Sequence, residues 1–232
     1  MKKLIDGFVR FRQEIYPGMQ PLFQMLGGGQ HPRALFITCA DSRIDPSLLT
    51  QADPGDLFIC RNAGNIVPPY GDTQGGVSAT IEYAVQALSV PHIILCGHSD
   101  CGAVKAMMHP EKLTSMPTVA MWLNFAESAR RVVLDGNPGG DEDALVEAMT
   151  YENVLLQIMH LSTHPSVASA LARGTLKLHG WVYNIQRGQV EAFSLEEGRF
   201  VELTNESIEH MPDATPRIRR ATYYPASSRT SA

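Results

Sequence analysis

Three short, predominantly apolar runs divide the first half of the chain: Ala34-Leu35-Phe36-Ile37-Thr38, Asp56-Leu57-Phe58-Ile59-Cys60 and His92-Ile93-Ile94-Leu95-Cys96. Apolar residues at consecutive positions leave no solvent face, so these runs predict strands buried on both sides, as in a parallel sheet. Each leads into polar turn residues, with glycine among them after the second and third. Between the second and third, Val77, Ile81, Ala84, Val85 and Leu88 recur at helical spacing. They predict a crossover helix over 75–88, and with the flanking strands a βαβ unit. Further helices are predicted over 118–133 and 142–162, the second with Leu145, Met149, Leu156 and Met159 along one side. Pro165 suits the first turn of another helix, which Gly174 ends. Residues 176–185 and 189–194 flank Gln186-Arg187-Gly188 and predict a late strand and hairpin.

Ahead of the first strand, Leu4, Phe8, Phe11, Ile15, Leu22 and Phe23 mark a helical arm over about 1–29. Pro17 and Pro21 are expected to break it into two pieces, and Gly27-Gly28-Gly29 to end it. Residues from about 212 to 232 are expected to be loosely held, and Asn137-Pro138-Gly139-Gly140-Asp141 to form a loop. With no repeat or low-complexity linker, 1–232 is read as one α/β domain, a central mainly parallel sheet flanked by helices. At 232 residues and 44% apolar, the chain can bury a substantial core.

A net charge of −5 with both signs scattered supplies no basic stripe for phosphates, which argues against nucleic acid as a partner. The longest apolar stretches, such as Val90 to Cys96, fall far short of the roughly 20 residues of a membrane span. The basic start meets Asp6 and Arg10 before any apolar signal core, so no membrane association and a cytoplasmic location are expected. Four cysteines in a reducing compartment are better read as metal ligands, catalysts or core residues than as disulfides. Cys60 and Cys96 end apolar runs and are expected to be core, whereas Cys39 and Cys101 are placed among polar turn residues.

Cys39-Ala40-Asp41-Ser42-Arg43 follows one buried strand and His98-Ser99-Asp100-Cys101-Gly102 another. Open α/β sheets gather ligands at the carboxyl ends of their strands, so two such turns can share a cleft. Zinc takes a small set of N and S donors, and Cys39, His98 and Cys101 supply two thiolates and an imidazole with a fourth position left over. Asp41 can fill that position, or pair with Arg43 through the two-pronged geometry of a guanidinium on a carboxylate. An anion-cradling thiol-phosphatase loop would need five residues between cysteine and arginine, against three between Cys39 and Arg43. A closed Cys39, His98, Cys101 and Asp41 site would instead make a structural zinc module. No phosphate-binding glycine fingerprint occurs.

Cys-x-Asp-x-Arg with a later His-x-x-Cys resembles the signature of the β-class carbonic anhydrases. Pro54-Gly55-Asp56-Leu57-Phe58, Arg61-Asn62-Ala63-Gly64-Asn65, Ile81-Glu82-Tyr83-Ala84-Val85 and His179-Gly180-Trp181-Val182-Tyr183 are similar to that family in order and spacing, over roughly 3–200. The resemblance implies the β-carbonic anhydrase fold and one Zn2+ per subunit. It also implies reversible hydration of CO2 to bicarbonate by zinc-bound hydroxide, oriented by Asp41 and Arg43. Gln30, nine positions before Cys39, is implied to bind substrate, with Phe58, Ala63, Tyr83 and Gly102 at pocket positions. Ala63 stands where plant enzymes commonly carry the larger valine. A homodimer or dimer of dimers is implied, with an interface that helps line the pocket. The similarity is greatest to the bacterial branch that includes an enzyme encoded beside cyanase, which points to CO2 and bicarbonate supply or cyanate metabolism.

Overall fold

The structure is a computed structural model that describes residues 1–71, 75–136 and 139–205. Four strands, β1 (Ala34–Cys39), β2 (Leu57–Asn62), β3 (His92–His98) and β4 (Lys177–Asn184), lie parallel in the order β2-β1-β3-β4. β5 (Gln189–Ser194) and β6 (Arg199–Glu202) extend the sheet antiparallel. The runs of β1 and β3 are buried on both faces, as their continuity predicts, whereas the run of β2, at the open edge of the sheet, is only partly buried and leaves Ile59 exposed. On one face Leu35, Ile37, Ile93, Leu95, Leu178 and Val182 join a single core with the helices above them. On the other, Phe36, Ile94 and Cys96 pack with Leu49, Trp181 and Tyr183. Each such aliphatic or aromatic side chain, fully withdrawn from water, contributes about 1.5–3 kcal/mol.

The helical arm comprises α1 (Lys2–Arg10), a π turn (Phe11–Ile15) and α2 (Tyr16–Leu26). It corrects the expected break at the prolines. Pro17 falls at the start of α2, straight after the widened π turn, and Pro21 lies inside α2, which continues to Leu26. A proline removes one hydrogen bond and crowds the carbonyl four residues back, and a π turn is a recognised way to absorb the misfit. α3 (Pro46–Thr50) and α4 (Gly76–Glu82) follow, α4 ending in a second π turn (Tyr83–Ala87) within the predicted crossover. The carboxylate of Asp45 caps α3 by accepting from the Ser47 and Leu48 amides.

α5 (Gly102–Met108) was not foreseen from periodicity, and the predicted 118–133 helix is α6 (Pro117–Leu123), a 3-10 turn (Asn124–Ala126) and α7 (Glu127–Gly136). α8 (Glu142–Leu161) and α9 (Pro165–Ala172) agree with their expected spans. The loop expected over 137–141 is described only from Gly139, and the tail expected over 212–232 lies outside the described residues. Among the described residues no helix is long and apolar enough to cross a membrane.

α8 reaches the sheet at two glycines. A Cβ on Gly97 of β3 would sit 2.8 Å from Val154 Cγ2, and one on Gly180 of β4 would sit 3.0 Å from Val154 Cγ1. The missing side chains therefore let the helix backbone approach closely enough to carry polar residues down to the strand ends, where they are used below.

At the opposite end of the strands His92 and His179 share a ring-nitrogen hydrogen bond of 3.1 Å. Burial, with His92 and Lys177 adding repulsion, holds His179 down to about 4, and burial lowers His92 as well. The unfolded chain protonates histidine near 6.5 while the folded chain keeps His179 neutral to about pH 4, so acid favours unfolding across that window. The thermal midpoint should fall as pH drops from 6.5 to 4, and fall less steeply in His179→Gln. Parallel curves would show that His179 does not contribute.

Candidate metal centre

β1 and β3 are adjacent and parallel, with Leu35 opposite Ile93 and Thr38 opposite Cys96, so both strands finish on one edge of the sheet. There the chain reverses strand order, since β2 pairs on one side of β1 and β3 on the other. This crevice is the usual ligand site of an open α/β sheet. Cys39 and His98 are the last residues of their strands rather than turn residues, a correction to the expectation for Cys39. Pairing continues one residue beyond β1, where the Ala40 amide donates to the Asn62 carbonyl. Cys101 follows at the cap of α5.

The donor atoms of Cys39, His98 and Cys101 all lie within 4.8 Å of one another, and all three residues are buried. The two sulfurs are 3.9 Å apart. That is far beyond the ~2.05 Å of a disulfide and close to the ~3.8 Å separating two tetrahedral zinc ligands at ~2.3 Å from the ion. His98 Nδ1 lies 2.8 Å from the Ser99 carbonyl, which can only accept, so Nδ1 carries the proton. Nε2 is left as a buried lone pair with no hydrogen-bond partner. A metal cation is the group that such an orphaned nitrogen beside two sulfurs accepts.

The two thiols shift each other in opposite directions. Cys39 is brought down to about 4, chiefly by the hydrogen bond from Cys101, with the Gly64 and Asp41 amides helping against burial. Cys101 is raised, first by its hydrogen bond to Cys39, then by burial and by the Cys39 charge. By contrast Cys96, fully buried among apolar neighbours, is pushed up to about 12, and burial raises Cys60, so both behave as core residues.

Asp41 is held on Arg43. Arg43 donates to Asp41 from its amide (2.9 Å), from Nε (3.0 Å) and from Nη2 (2.8 Å). These bonds hold the Asp41 carboxyl well below the usual carboxylate range. Asp41 Oδ2 nevertheless stands only 3.9 Å from His98 Nε2, at the edge of the donor cluster. In this arrangement Asp41 is engaged by Arg43 and not grouped with the three donors.

The surrounding scaffold gives Arg61 and Gly64, known from the sequence only as parts of a motif, specific contacts, and it adds Asn153 and Gln157, which sequence reasoning missed. Arg61 of β2 donates to the Cys39 carbonyl (3.1 Å) and the Asp41 carbonyl (2.6 Å), fixing the loop that carries both. From α8, Asn153 donates to the Gly64 carbonyl, Gln157 donates to Asn153, and Gln157 accepts from the Val67 amide. Two amide side chains four apart, and so on one face of a helix, were the available signal. Gly64 has φ 78°, and a Cβ there would meet Met107 Cε at 2.8 Å. Its amide is thereby turned toward Cys39.

The pocket positions divide, Ala63 and Gly102 lying beside this cluster and Phe58 with Tyr83 lying away from it. Phe58 and Tyr83 pack against each other, with ring centroids 5.9 Å apart. Phe58, however, lies four residues before Asn62, the partner of Cys39, or about 13 Å along the strand. Gln30 is exposed, four residues before the start of β1. Ala63 is adjacent to the site, its carbonyl accepting from Trp122 Nε1 at 2.9 Å, and Gly102 is exposed at the first turn of α5.

The carbonic anhydrase family model matches residues 34–190. A carbonic anhydrase of Pseudomonas aeruginosa is 50% identical over 203 residues, 88% of this chain and 92% of that protein. Among solved structures, the β-carbonic anhydrase CcaA superposes with a TM-score of 0.86 at 46% identity, covering 88% of this chain and 99% of that one. A tetrameric β-carbonic anhydrase of Sordaria macrospora superposes with a TM-score of 0.69 at 31% identity, covering 83% and 93%. The chain belongs to the β-class carbonic anhydrases.

Removing any one donor should leave too few protein ligands for tight binding. Cys39→Ser, His98→Ala and Cys101→Ser should each lose most of their zinc by elemental analysis, and full occupancy in one of them would strike that residue from the set.

Proposed function

We propose that the chain hydrates CO2 reversibly to bicarbonate at a zinc ion held by Cys39, His98 and Cys101, with Asp41 and Arg43 as the working pair. The observation that carries this reading is the Asp41 carboxylate, gripped by Arg43 yet 3.9 Å from the free His98 Nε2. Zinc, when bound, supplies a Lewis acid that makes water acidic and nucleophilic near neutral pH. Two thiolates offset the charge of the dication, which places more of the task on Asp41. Because Arg43 keeps Asp41 ionised, the carboxylate can only accept a hydrogen bond, and so it orients the attacking oxygen toward CO2. Release of Asp41 from Arg43 would let it take the fourth ligand position and close the site. Ile66, Val104 and Met107 pack with the cysteines and exclude bulk water from behind them.

The same proposal accounts for the scattered pocket positions. Gln30, Phe58 and Tyr83 serve the site of a second copy in a homodimer or dimer of dimers. α1 and α2 contain no buried residue, and Leu4, Ile5 and Phe8 are each more than half exposed. Ile59 and Tyr83 are also exposed beside the open edge of β2. Apolar surface on this scale marks an interaction face. A role in bicarbonate supply or cyanate metabolism rests on the sequence resemblance.

Asp41→Asn should retain zinc and lose about a hundredfold or more in stopped-flow CO2 hydration, from the lower end of the range expected when a positioned acid–base group is removed. An unchanged rate would remove Asp41 from the mechanism. Specific activity should also follow the oligomer fraction on dilution, measured by light scattering beside the rate. A fully active monomer would contradict the shared pocket.

A further inference from the structure

Arg43 is gripped from two sides. Nε and Nη2 face Asp41, while Nη1 donates to the Asp100 carboxylate at 2.7 Å and Nη2 donates to the Asp100 carbonyl at 3.0 Å. The other carboxylate oxygen of Asp100 is bound by Lys105 Nζ from α5. Four donor contacts of the guanidinium are thereby fixed, two on each side.

Asp100 has φ 55°, a left-handed conformation that side chains other than Asn and Asp rarely adopt. In that conformation its carboxylate and its carbonyl both meet Arg43. Arg43 needs such support, since its side chain is 44% exposed. A solvated pair of neighbours in sequence gains little once the arginine's rotamer freedom is lost. A second carboxylate on the far side immobilises the guanidinium before Asp41 is counted. Lys105 Nζ on one carboxylate oxygen and Arg43 Nη1 on the other hold the Asp100 side chain in place, so it acts as a fixed clamp.

We propose that Asp100 is a positioning residue for the hydration reaction, holding Arg43 in the rotamer that keeps Asp41 oriented beside the metal site, with Lys105 fixing Asp100 in turn. This rests on the Asp41–Arg43 reading above. Asp100 touches neither substrate nor metal in this role, and its whole effect passes through Arg43 and Asp41.

The test uses Asp100→Asn, which tolerates the left-handed backbone, and Asp100→Gly, which relieves it, in case the first fails to fold. Both should keep full zinc and lose CO2 hydration per bound zinc by roughly three- to tenfold, the range for coupled neighbours in one ion-pair network. Phenylglyoxal should modify Arg43 severalfold faster in both variants, read by peptide mass spectrometry on the full chain. In an Asp41→Asn background, Asp100→Asn should cause no further loss of the residual activity. Unchanged activity and unchanged Arg43 reactivity would overturn the proposal, as would a loss that merely tracks missing zinc or an additive loss in the double variant. If Asp41→Asn itself hydrates CO2 at the full rate, the Asp41–Arg43 reading fails and this one with it. If Asp41→Asn is impaired while the Asp100 variants are not, only the role of Asp100 falls.

Discussion

Parallel pairing obliges neighbouring strands to finish on the same edge of a sheet. With β1 and β3 side by side about 4.8 Å apart, Cys39 and His98 are brought together by the parallel pairing of Leu35–Thr38 with Ile93–Cys96 just before them. Three further residues of turn carry Cys101 back to face Cys39. The donor set is therefore a product of sheet register, and a slip of one residue would send a ligand to the wrong face. Arg61, reaching from β2 to the carbonyls of Cys39 and Asp41, extends the same control to the loop beyond the strand.

α8 joins the hydrophobic layer to the polar one. Its apolar face packs on the sheet through Val154, Leu155 and Ile158, while Asn153 and Gln157 in the same turns hold the 64–67 segment by its backbone. A buried amide costs stability unless its hydrogen bonds are made, so these side chains and that segment fix each other. The small residues at Gly97 and Gly180 set the height of the helix, and the height sets whether Asn153 reaches Gly64. Packing far from the sulfurs is thus felt at the wall beside them.

Much of this was legible from the sequence because the governing signals are local. Continuous apolar runs gave β1, β2 and β3 to within two residues at each end, and the spacing in Cys-x-Asp-x-Arg and His-x-x-Cys marked the donors and the Asp41–Arg43 pair. What escaped depends on three dimensions. Strand ends extend into polar residues when a neighbour supplies hydrogen bonds, which hid Cys39 and His98 inside β1 and β3. β6 is only four residues long, with Phe200 its one fully buried side chain. The π turn that keeps the arm continuous past Pro17 has no local signature. Asp100 was visible only as part of a ligand motif, because its contact with Arg43 joins residues 57 apart. Phe58 and Tyr83 were matched to pocket positions by order along the chain, whereas the sheet register puts Phe58, and Tyr83 packed on it, away from the donors.

The order of the elements also bears on how the chain is made. All three donors belong to the first 101 residues, whereas the helix that covers the sheet beside them ends at Leu161. At the usual rate of about 5–20 residues per second, the ribosome needs several seconds to supply that helix after Cys101. During this interval the thiols remain uncovered, open to capture of an ion and equally to oxidation. Metal supply at the moment of synthesis therefore bears on the yield of competent chains independently of the affinity of the finished site.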